Sequence, residues 1–362
     1  MQKKKFRIYN PKLKEECAVF GISDSSDAST LTALGLHALQ HRGQEGCGIV
    51  SFDGEKYHSE KRFGLVGDNF SKEKVIKTLP GRFAIGHNRY STTGGTTLRN
   101  IQPFFADTNA GGIGVSHNGN LTNAIKLRKK MVEEGSIFYT TSDTETIVKL
   151  IARSKRSKTV DRVIDALFQI QGGYALVVLT QNILIGARDP FGIRPLVIGK
   201  LKSSYVLASE TCALDIIGAK YIRDVENGEI VCIENGKLES IKPFPQKKIR
   251  PCVFEYIYFS RPDSILGGKT AYEYRKNFGA ELAKEEKIFS DYYQQKGFGS
   301  CGSCHVGGGL DLALLGFSDA DIGRRASDPH IEGHDIVDGS FNPQIDGKKE
   351  SDGKKENDKN QK

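Results

Sequence analysis

The sequence predicts an α+β protein in which β-sheets stack face to face and helices cover their outer sides. Short apolar or alternating segments, which are typical of buried strands, are numerous, whereas helical patterns are few. The two kinds of segment do not alternate one by one, as they do in a parallel α/β sheet. No glycine-rich phosphate loop of the dinucleotide or Walker type follows a predicted strand.

Length and composition indicate a globular protein with room for two domains. The chain has 362 residues, of which 38% are hydrophobic and 27% are charged. No apolar run reaches the roughly 18 residues that a transmembrane helix needs, and no apolar region of a secretory signal follows the basic residues 1–7. The seven scattered cysteines indicate reduced thiols and a cytoplasmic location.

The net charge of +8 is dispersed along the chain and accompanies no nucleic-acid-binding motif. We therefore predict neither a nucleic acid nor a membrane as partner. An anionic small substrate, or solubility alone, accounts for the excess of basic residues.

Cys17 opens the first predicted strand, which runs to Ile22 and places the thiol at a strand end rather than inside a core. Only a thiolate is a good nucleophile, and a thiol with a pKa of about 8.5 needs a base. The α-amino group of the same residue, with a pKa of about 7.7 to 8, suits this task once it is free. We therefore predict that residues 1–16 are a propeptide. The alternative is that Cys17 is a small buried hydrophobe.

A helix is predicted over residues 29–40, where leucine and alanine recur at three- and four-residue spacings. A polar turn at residues 40–45 and a strand at residues 48–52 follow it. Arg42 is either a polar side chain of this turn without a further role or, if the helix runs antiparallel to the first strand, a neighbour of Cys17.

A strand over residues 83–86 leads into the polar segment 87–94. Its Arg89 is suited to the carboxylate of an amino-acid substrate, because a guanidinium donates two parallel hydrogen bonds to a carboxylate. A solvated surface charge is the alternative.

The strand predicted at residues 114–120 ends in a turn that is rich in amides. Asn118 and Gly119 offer a side-chain N–H and an unobstructed backbone N–H, the two donors that an oxyanion hole requires. A common Asn–Gly turn is the alternative. Asn120 or Thr122 is predicted to cap the following helix.

Ser142 and Glu145 have capping-box spacing at the start of another helix. Asp143, between them, is either an acid favoured by the helix dipole or a buried carboxylate that binds a substrate ammonium. One further helix and four strands are predicted at residues 161–169, 174–180, 183–187, 206–210 and 229–233.

Four segments in this order together resemble the class II glutamine amidotransferase domain, namely residues 17–22, 40–44, 86–92 and 117–122. The resemblance implies an N-terminal-nucleophile fold with four layers in the order helix, sheet, sheet, helix (αββα). Ala18 departs from this family, which usually has glycine there, and alanine fits a strand without penalty.

The resemblance also implies a glutamine pocket in which the nucleophile attacks the side-chain amide, releases ammonia and is restored by hydrolysis of the thioester. The residues it assigns are the nucleophile Cys17, the oxyanion-hole residues Asn118 and Gly119, the carboxylate and ammonium ligands Arg89 and Asp143, and the lining residues Arg42 and Tyr90.

Residues 252–264 are similar to the junction into the second domain of the amidophosphoribosyltransferase family, and the resemblance runs from about residue 15 to about residue 285. It implies a role in purine biosynthesis, where ammonia converts phosphoribosyl pyrophosphate to 5-phosphoribosylamine. It also implies Mg²⁺ with that substrate and a homo-oligomer. The predicted regions are a propeptide at 1–16, the amidotransferase domain at 17–250, the beginning of an α/β phosphoribosyltransferase domain at 251–286, and an unmatched, partly disordered tail at 287–362.

Later features of the family's second domain are absent after about residue 286, so we interpret the tail as an unrelated continuation and expect the synthetic half to be largely missing. Some family members carry an iron–sulfur cluster, for which Cys252, Cys301 and Cys304 are candidate ligands. Residues 301–305 also have the spacing of a c-type haem attachment site, but haem attachment would require export. A glycine-rich loop with two incidental thiols is the favoured interpretation. Pro329 and Gly333 argue against a metal-binding helix at His330 and His334.

Two functions remain open at this point. One is a glutamine amidotransferase whose glutaminase half is complete. The other is an inactive truncated product that acts only as a glutamine-binding or subunit-association module.

Overall fold

The computed structural model describes residues 17–90 and 97–295, with side chains described up to residue 284. The chain divides into two compact units, Met1–Tyr272 and Glu273–Lys362. The first contains both large sheets. In the second, the described residues continue a helix that begins at Ala271. The predicted propeptide at 1–16 and the tail after residue 295 lie outside the described residues, so the predicted region boundaries stay predictions.

Fifteen described strands, numbered in chain order, are β1 (Ala18–Ile22), β2 (Gly46–Phe52), β3 (Tyr57–Phe63), β4 (Phe83–Arg89), β5 (Phe104–Thr108), β6 (Gly111–Leu121), β7 (Gly172–Leu179), β8 (Ile183–Arg188), β9 (Val197–Leu201), β10 (Ser204–Ala208), β11 (Lys220–Asp224), β12 (Ile230–Glu234), β13 (Lys237–Ile241), β14 (Ile265–Leu266) and β15 (Lys269–Thr270).

These strands form two large sheets and one short hairpin. The first sheet has seven strands in the order β11-β9-β10-β1-β4-β2-β3, and the second has six in the order β13-β12-β8-β7-β6-β5. Neighbouring strands pair antiparallel in both sheets. Strands β14 and β15 pair only with each other.

The described α-helices, numbered in the same way, are α1 (Ala28–Ala38), α2 (Val66–Phe70), α3 (Glu73–Ile76), α4 (Ala124–Glu133), α5 (Thr144–Arg153), α6 (Thr159–Leu167), α7 (Cys212–Asp215) and α8 (Ala271–Gln295).

Three hydrophobic cores separate the layers. One core lies between the two sheets and includes Val19, Ile85 and Val177. A second joins the outer face of the first sheet to α1 and α7, and a third joins the outer face of the second sheet to α5 and α6. The order of layers is therefore helix, sheet, sheet, helix, which confirms the predicted αββα class.

Alternation along the strands determines which side chains face the space between the sheets. Val19 of β1 and Ile85 of β4 belong to the inter-sheet core, so Cys17, His87 and Arg89, at even spacings from them, face the same way. A Cβ on Gly114 of β6 would contact Ile85 at 3.1 Å. Ser116 and Asn118 therefore face the inter-sheet space from the opposite sheet.

Several local predictions were wrong. Asn118 and Gly119 lie within β6, where they pair with Ala175 and Tyr174, and do not form a turn. The N-cap of α4 is Asn123 rather than Asn120 or Thr122, and it makes no side-chain capping bond.

The predicted capping box is also absent. Asp143 is the N-cap of α5, without a side-chain capping bond, and the Glu145 carboxylate accepts hydrogen bonds from the backbone N–H groups of Tyr139 and Thr140.

None of the described helices combines the length and the apolar character that crossing a bilayer requires.

Candidate active site

Cys17 lies directly before β1, and its side chain is almost buried, with a relative exposure of 7%. Its Sγ is 3.4 Å from the carbonyl oxygen of Tyr90 and 3.5 Å from the backbone nitrogen of the same residue. A protonated thiol can donate to the carbonyl, and a thiolate can accept from the N–H. The end of β4 therefore offers a backbone partner to both protonation states of Cys17.

Arg42 lies beside Cys17, one of the two positions that the sequence allowed. Its Nε–H donates to the Cys17 carbonyl oxygen at 3.1 Å. Its other guanidinium nitrogens donate to Glu255 at 2.6 and 2.8 Å and to Glu210 at 2.6 Å. These contacts commit Arg42 to protein partners, and its predicted role in lining the glutamine pocket stays a prediction.

Electrostatics keep Arg42 and Glu210 ionised despite their burial. Burial disfavours the charged guanidinium, but the Glu255 and Glu210 carboxylates outweigh burial and raise the pKa of Arg42 well above its usual value. Burial likewise opposes ionisation of Glu210, but Arg42 and then His41 hold the pKa of that carboxyl well below its usual value.

Arg89 is buried at the end of β4, and its Nη1–H donates to the Asn100 carbonyl oxygen at 3.0 Å. The Asn100 side chain in turn donates to Thr141 Oγ1 at 2.8 Å and accepts from the Thr141 N–H at 3.0 Å. Arg89 is therefore tied to the segment that leads into α5. Through Asn100 and Thr141, Arg89 is therefore linked to the segment that carries Asp143.

Asp143 is a buried carboxylate whose Oδ2 accepts a hydrogen bond from the Leu121 N–H at 2.9 Å. Its Oδ1 is 3.8 Å from Nδ1 of His117, which also lies 3.0 Å from Thr144 Oγ1. Burial lowers the pKa of His117, and Arg194 adds to this effect while Asp143 opposes it. The imidazole is therefore neutral at pH 7.

Asn118 is fully buried, and neither its Oδ1 nor its Nδ2 has a hydrogen-bond partner among the described residues. Buried amides are nearly always paired, so these two atoms mark a position where a ligand or an ordered water binds. The neighbouring Gly119 has a φ of +148°, and a Cβ there would lie 2.1 Å from the Gly173 carbonyl oxygen. Only glycine fits this position.

Sequence reasoning missed His87, which is also fully buried. Its Nε2 lies 3.1 Å from the His117 carbonyl oxygen, and because a carbonyl only accepts, Nε2 carries the hydrogen. Nδ1 is then an acceptor without a partner among the described residues, as is the Ser116 hydroxyl nearby on β6. Burial, and secondarily Arg89, lowers the pKa of His87 to about 3. Its position two residues before Arg89 on one strand face was the available signal.

The candidate residues thus fall into two sets, and the contacts described lie within each set. Cys17 contacts both Arg42 and Tyr90, and Arg89, the last residue of β4, directly precedes Tyr90. On the second sheet, Asn118 and Gly119 follow His117, which contacts Asp143. Both sets lie at ends of central strands.

In residues 17–90 and 97–284, no group of three His, Cys, Asp or Glu side chains could hold a metal ion. Cys252 is partly exposed in this part of the chain. Its candidate partners Cys301 and Cys304, the haem-type segment and both distant histidines lie outside the described residues.

Comparison with known proteins gives consistent results. The glutamine amidotransferase domain family matches residues 87–215. An amidophosphoribosyltransferase of Rhizobium etli is 53% identical over 284 residues, which cover 77% of this chain and 57% of that protein. The chloroplastic amidophosphoribosyltransferase 2 of Arabidopsis thaliana is 48% identical, with 78% of this chain and 51% of that protein covered.

Among solved structures, the glutamine phosphoribosylpyrophosphate amidotransferase of Bacillus subtilis, complexed with ADP and GMP, matches with a TM-score of 0.71 and 43% identity. The match covers 74% of this chain and 58% of that one. The chain spans about half the length of the curated relatives it matches, between 51% and 57% for the two above. By sequence and by fold, the chain belongs to the amidophosphoribosyltransferase family through its class II glutamine amidotransferase domain.

Proposed function

We propose that this chain hydrolyses glutamine at Cys17 and supplies ammonia for the conversion of phosphoribosyl pyrophosphate to 5-phosphoribosylamine in purine biosynthesis. The observation that carries the proposal is the fully buried amide of Asn118, which has no hydrogen-bond partner among the described residues and faces the inter-sheet space from β6, as Cys17 does from the start of β1. An amide donor beside a glycine N–H is what the oxyanion of an attacked carboxamide requires.

In this mechanism Cys17 Sγ attacks the side-chain carbonyl carbon of glutamine. The oxygen takes the negative charge and accepts hydrogen bonds from Asn118 Nδ2 and the Gly119 N–H. Ammonia leaves as the tetrahedral intermediate collapses to a thioester, and water then releases glutamate. The α-amino group of Cys17 accepts the thiol proton and returns it to the leaving ammonia, which requires removal of residues 1–16.

Substrate binding uses two charged groups that the protein already holds in place. Arg89 would hold the α-carboxylate of glutamine, and its contact with Asn100 supports a fixed orientation. Asp143 would hold the α-ammonium, and burial beside a neutral His117 supports a strong electrostatic contact. Tyr90 and Arg42 would line the pocket.

The remaining features of the family belong to the same proposal. They are phosphoribosyl pyrophosphate with its Mg²⁺ as the substrate of the family's synthetic half, which is largely missing here, a homo-oligomer and a cytoplasmic location. An iron–sulfur cluster at Cys252 is not favoured. Buried thiols at Cys47, Cys212 and Cys232, which form no disulfide in the described part of the chain, support a reducing compartment. No step of glutamine hydrolysis described above depends on a metal.

The test begins with the intact mass of the purified protein, which should correspond to a chain that starts at Cys17. Glutamate release from glutamine should then be measurable, and Cys17→Ala should abolish it while leaving the circular dichroism spectrum unchanged. A processed protein that releases no more glutamate than Cys17→Ala would contradict the proposal and favour the inactive-module alternative.

A further inference from the structure

The guanidinium of Arg42 connects the Cys17 backbone to two carboxylates that lie far away in sequence. Glu255 accepts two hydrogen bonds from it, to Oε1 at 2.6 Å and to Oε2 at 2.8 Å, and Glu210 accepts one at 2.6 Å. The remaining Nε–H donates to the Cys17 carbonyl oxygen at 3.1 Å. All three side chains are at least 97% buried, so solvent does not compete for these bonds.

Glu255 is itself fixed by its own segment. It begins a short helical turn, Glu255–Phe259, where its N–H donates to the Cys252 carbonyl oxygen at 3.1 Å. The hydroxyl of Ser260 donates to Glu255 Oε2 at 2.9 Å. The carboxylate therefore presents its two oxygens to Arg42 in one orientation, which determines the direction of the Nε–H bond.

The geometry of a guanidinium makes this arrangement directional. Because the group is planar, a carboxylate that binds Nη1 and Nη2 together sets the plane in which Nε–H points. That N–H holds the peptide oxygen of Cys17, while Tyr90 contacts the thiol. Backbone and side chain of the nucleophile are thus held from two directions.

We propose that Glu255 is a positioning residue for the nucleophile: by orienting Arg42 it fixes the Cys17 carbonyl, so that glutamine hydrolysis depends on the 255–259 segment, beyond the amidotransferase region predicted at 17–250. This inference rests on the proposed function and adds to it. Glu255 touches no reacting atom, and its hydrogen-bonded cation is Arg42, while Arg194 lies farther away, with Nη1 3.9 Å from Glu255 Oε1. Its loss should lower kcat for glutamine hydrolysis and leave KM nearly unchanged, since the candidate substrate ligands Arg89 and Asp143 are not bonded to it.

The full chain offers a matched control. Glu229 is fully buried and binds Arg223 through both carboxylate oxygens at 2.7 Å, with Ser240 as a further donor, but it contacts none of the candidate site residues. Glu229→Gln and Glu255→Gln remove the same charge from a buried carboxylate that binds an arginine through both oxygens, although the Arg223 side chain is 36% exposed and that of Arg42 is buried. Each variant is assayed for glutamate release on the fraction whose intact mass begins at Cys17.

We expect Glu255→Gln to lower kcat by about tenfold or more and to change KM by less than about twofold, because small displacements of a nucleophile are costly. The alkylation rate of Cys17 by iodoacetamide, followed by peptide mass spectrometry, should change at least about threefold. Glu229→Gln should leave both readouts at the wild-type value.

Two results would overturn the inference. One is equal kcat and equal Cys17 alkylation in Glu255→Gln and wild type. The other is an equal loss in Glu229→Gln and Glu255→Gln, which would assign the effect to general destabilisation. A processed wild-type protein without glutaminase activity would instead contradict the proposed function, and the alkylation comparison would still test the role of Glu255.

Discussion

Two groups of buried polar side chains flank the first strand, and they differ in how completely the protein satisfies them. In the first, Arg42 has hydrogen-bond partners on Glu210, Glu255 and the Cys17 carbonyl. In the second, His87 and Asn118 are equally buried, yet each has a polar side-chain atom without a partner in the described part of the chain. The two groups are equally buried, but they differ in whether their polar atoms have hydrogen-bond partners among the described residues.

This difference distinguishes side chains that hold the backbone in place from side chains that could bind a ligand. A buried charge cluster whose members satisfy one another holds backbone in place and has few donors left for a ligand. Unpaired buried amides and imidazoles cost free energy in the absence of a ligand, so they persist where a substrate or water satisfies them. Removing Arg42, the cation shared by both carboxylates of the first group, should therefore lower stability most, and removing Asn118 should act mainly on catalysis.

Arg42→Met should have the largest effect on stability. It leaves the carboxylates of Glu210 and Glu255 buried without their cation, at a cost of about 3–5 kcal/mol in the free energy of unfolding. Urea denaturation at pH 7 measures it. The control is Lys242→Met, which breaks an exposed ion pair with Glu226 of 2.7 Å and should change the same free energy by less than about 1 kcal/mol. Equal effects of the two substitutions would remove the distinction between the two groups.

Asn118→Ala should affect catalysis instead. Loss of one oxyanion donor is expected to lower kcat for glutamine hydrolysis by about 10²–10³-fold. The free energy of unfolding should change by less than about 1 kcal/mol, because no described hydrogen bond is lost.

Asn88 provides the contrasting variant for this experiment. Its Nδ2–H donates to the Leu36 carbonyl oxygen at 2.7 Å, on the helix side of the first sheet. Asn88→Ala should destabilise the protein by about 1–3 kcal/mol and leave kcat of the folded fraction unchanged. A full-rate Asn118→Ala enzyme would show that its unpaired amide does not serve the reaction.

The smallest expected effect is the decrease in the free energy of unfolding as the pH falls below 6.5. The pKa of His87 is about 3 in the folded protein, against an ordinary value of 6.5, so below pH 6.5 the unfolded state binds a proton that the folded state does not. Stability is therefore complete above pH 6.5 and should fall by about 2 kcal/mol between pH 6.5 and 5 from this residue alone. Urea denaturation across this range should show a shallower slope for His87→Gln. An unchanged slope would mean that the imidazole is already protonated, or solvated, in the folded state.

Sequence reasoning predicted the parts of this site that depend on local order. The position of Cys17 at the start of a strand, the strand that leads to Arg89 and the strand that carries Asn118 follow from the pattern of apolar residues, although β4 continues through Arg89 and not only to residue 86. The partners of Arg42 do not, since Glu210 and Glu255 lie 168 and 213 residues away from it and no local pattern encodes that pairing. The Asn–Gly turn was a wrong alternative because pairing with β7 outweighed a local turn preference.

Four of the strands that the sequence pattern did not reveal share a physical reason, whereas β9, which was also missed, lies inside the first sheet. Strands β3, β5, β11 and β13 occupy the four edges of the two large sheets. β3 and β13 read YHSEKRF and KLESI, with charged residues where a central strand would carry valine or isoleucine. An edge strand needs little apolar surface, so its sequence lacks the signal on which prediction relies.

Those charged edges also bear on how the protein behaves in concentrated solution. Antiparallel sheets that do not close into a barrel end in unpaired N–H and C=O groups, which can recruit a strand from another molecule and start a fibril. Lys61 and Arg62 on one border and Lys237 and Glu239 on another would each bring a charge against the incoming chain. The charged edge strands of this sandwich therefore oppose aggregation, while the ends of its central strands carry the candidate site residues.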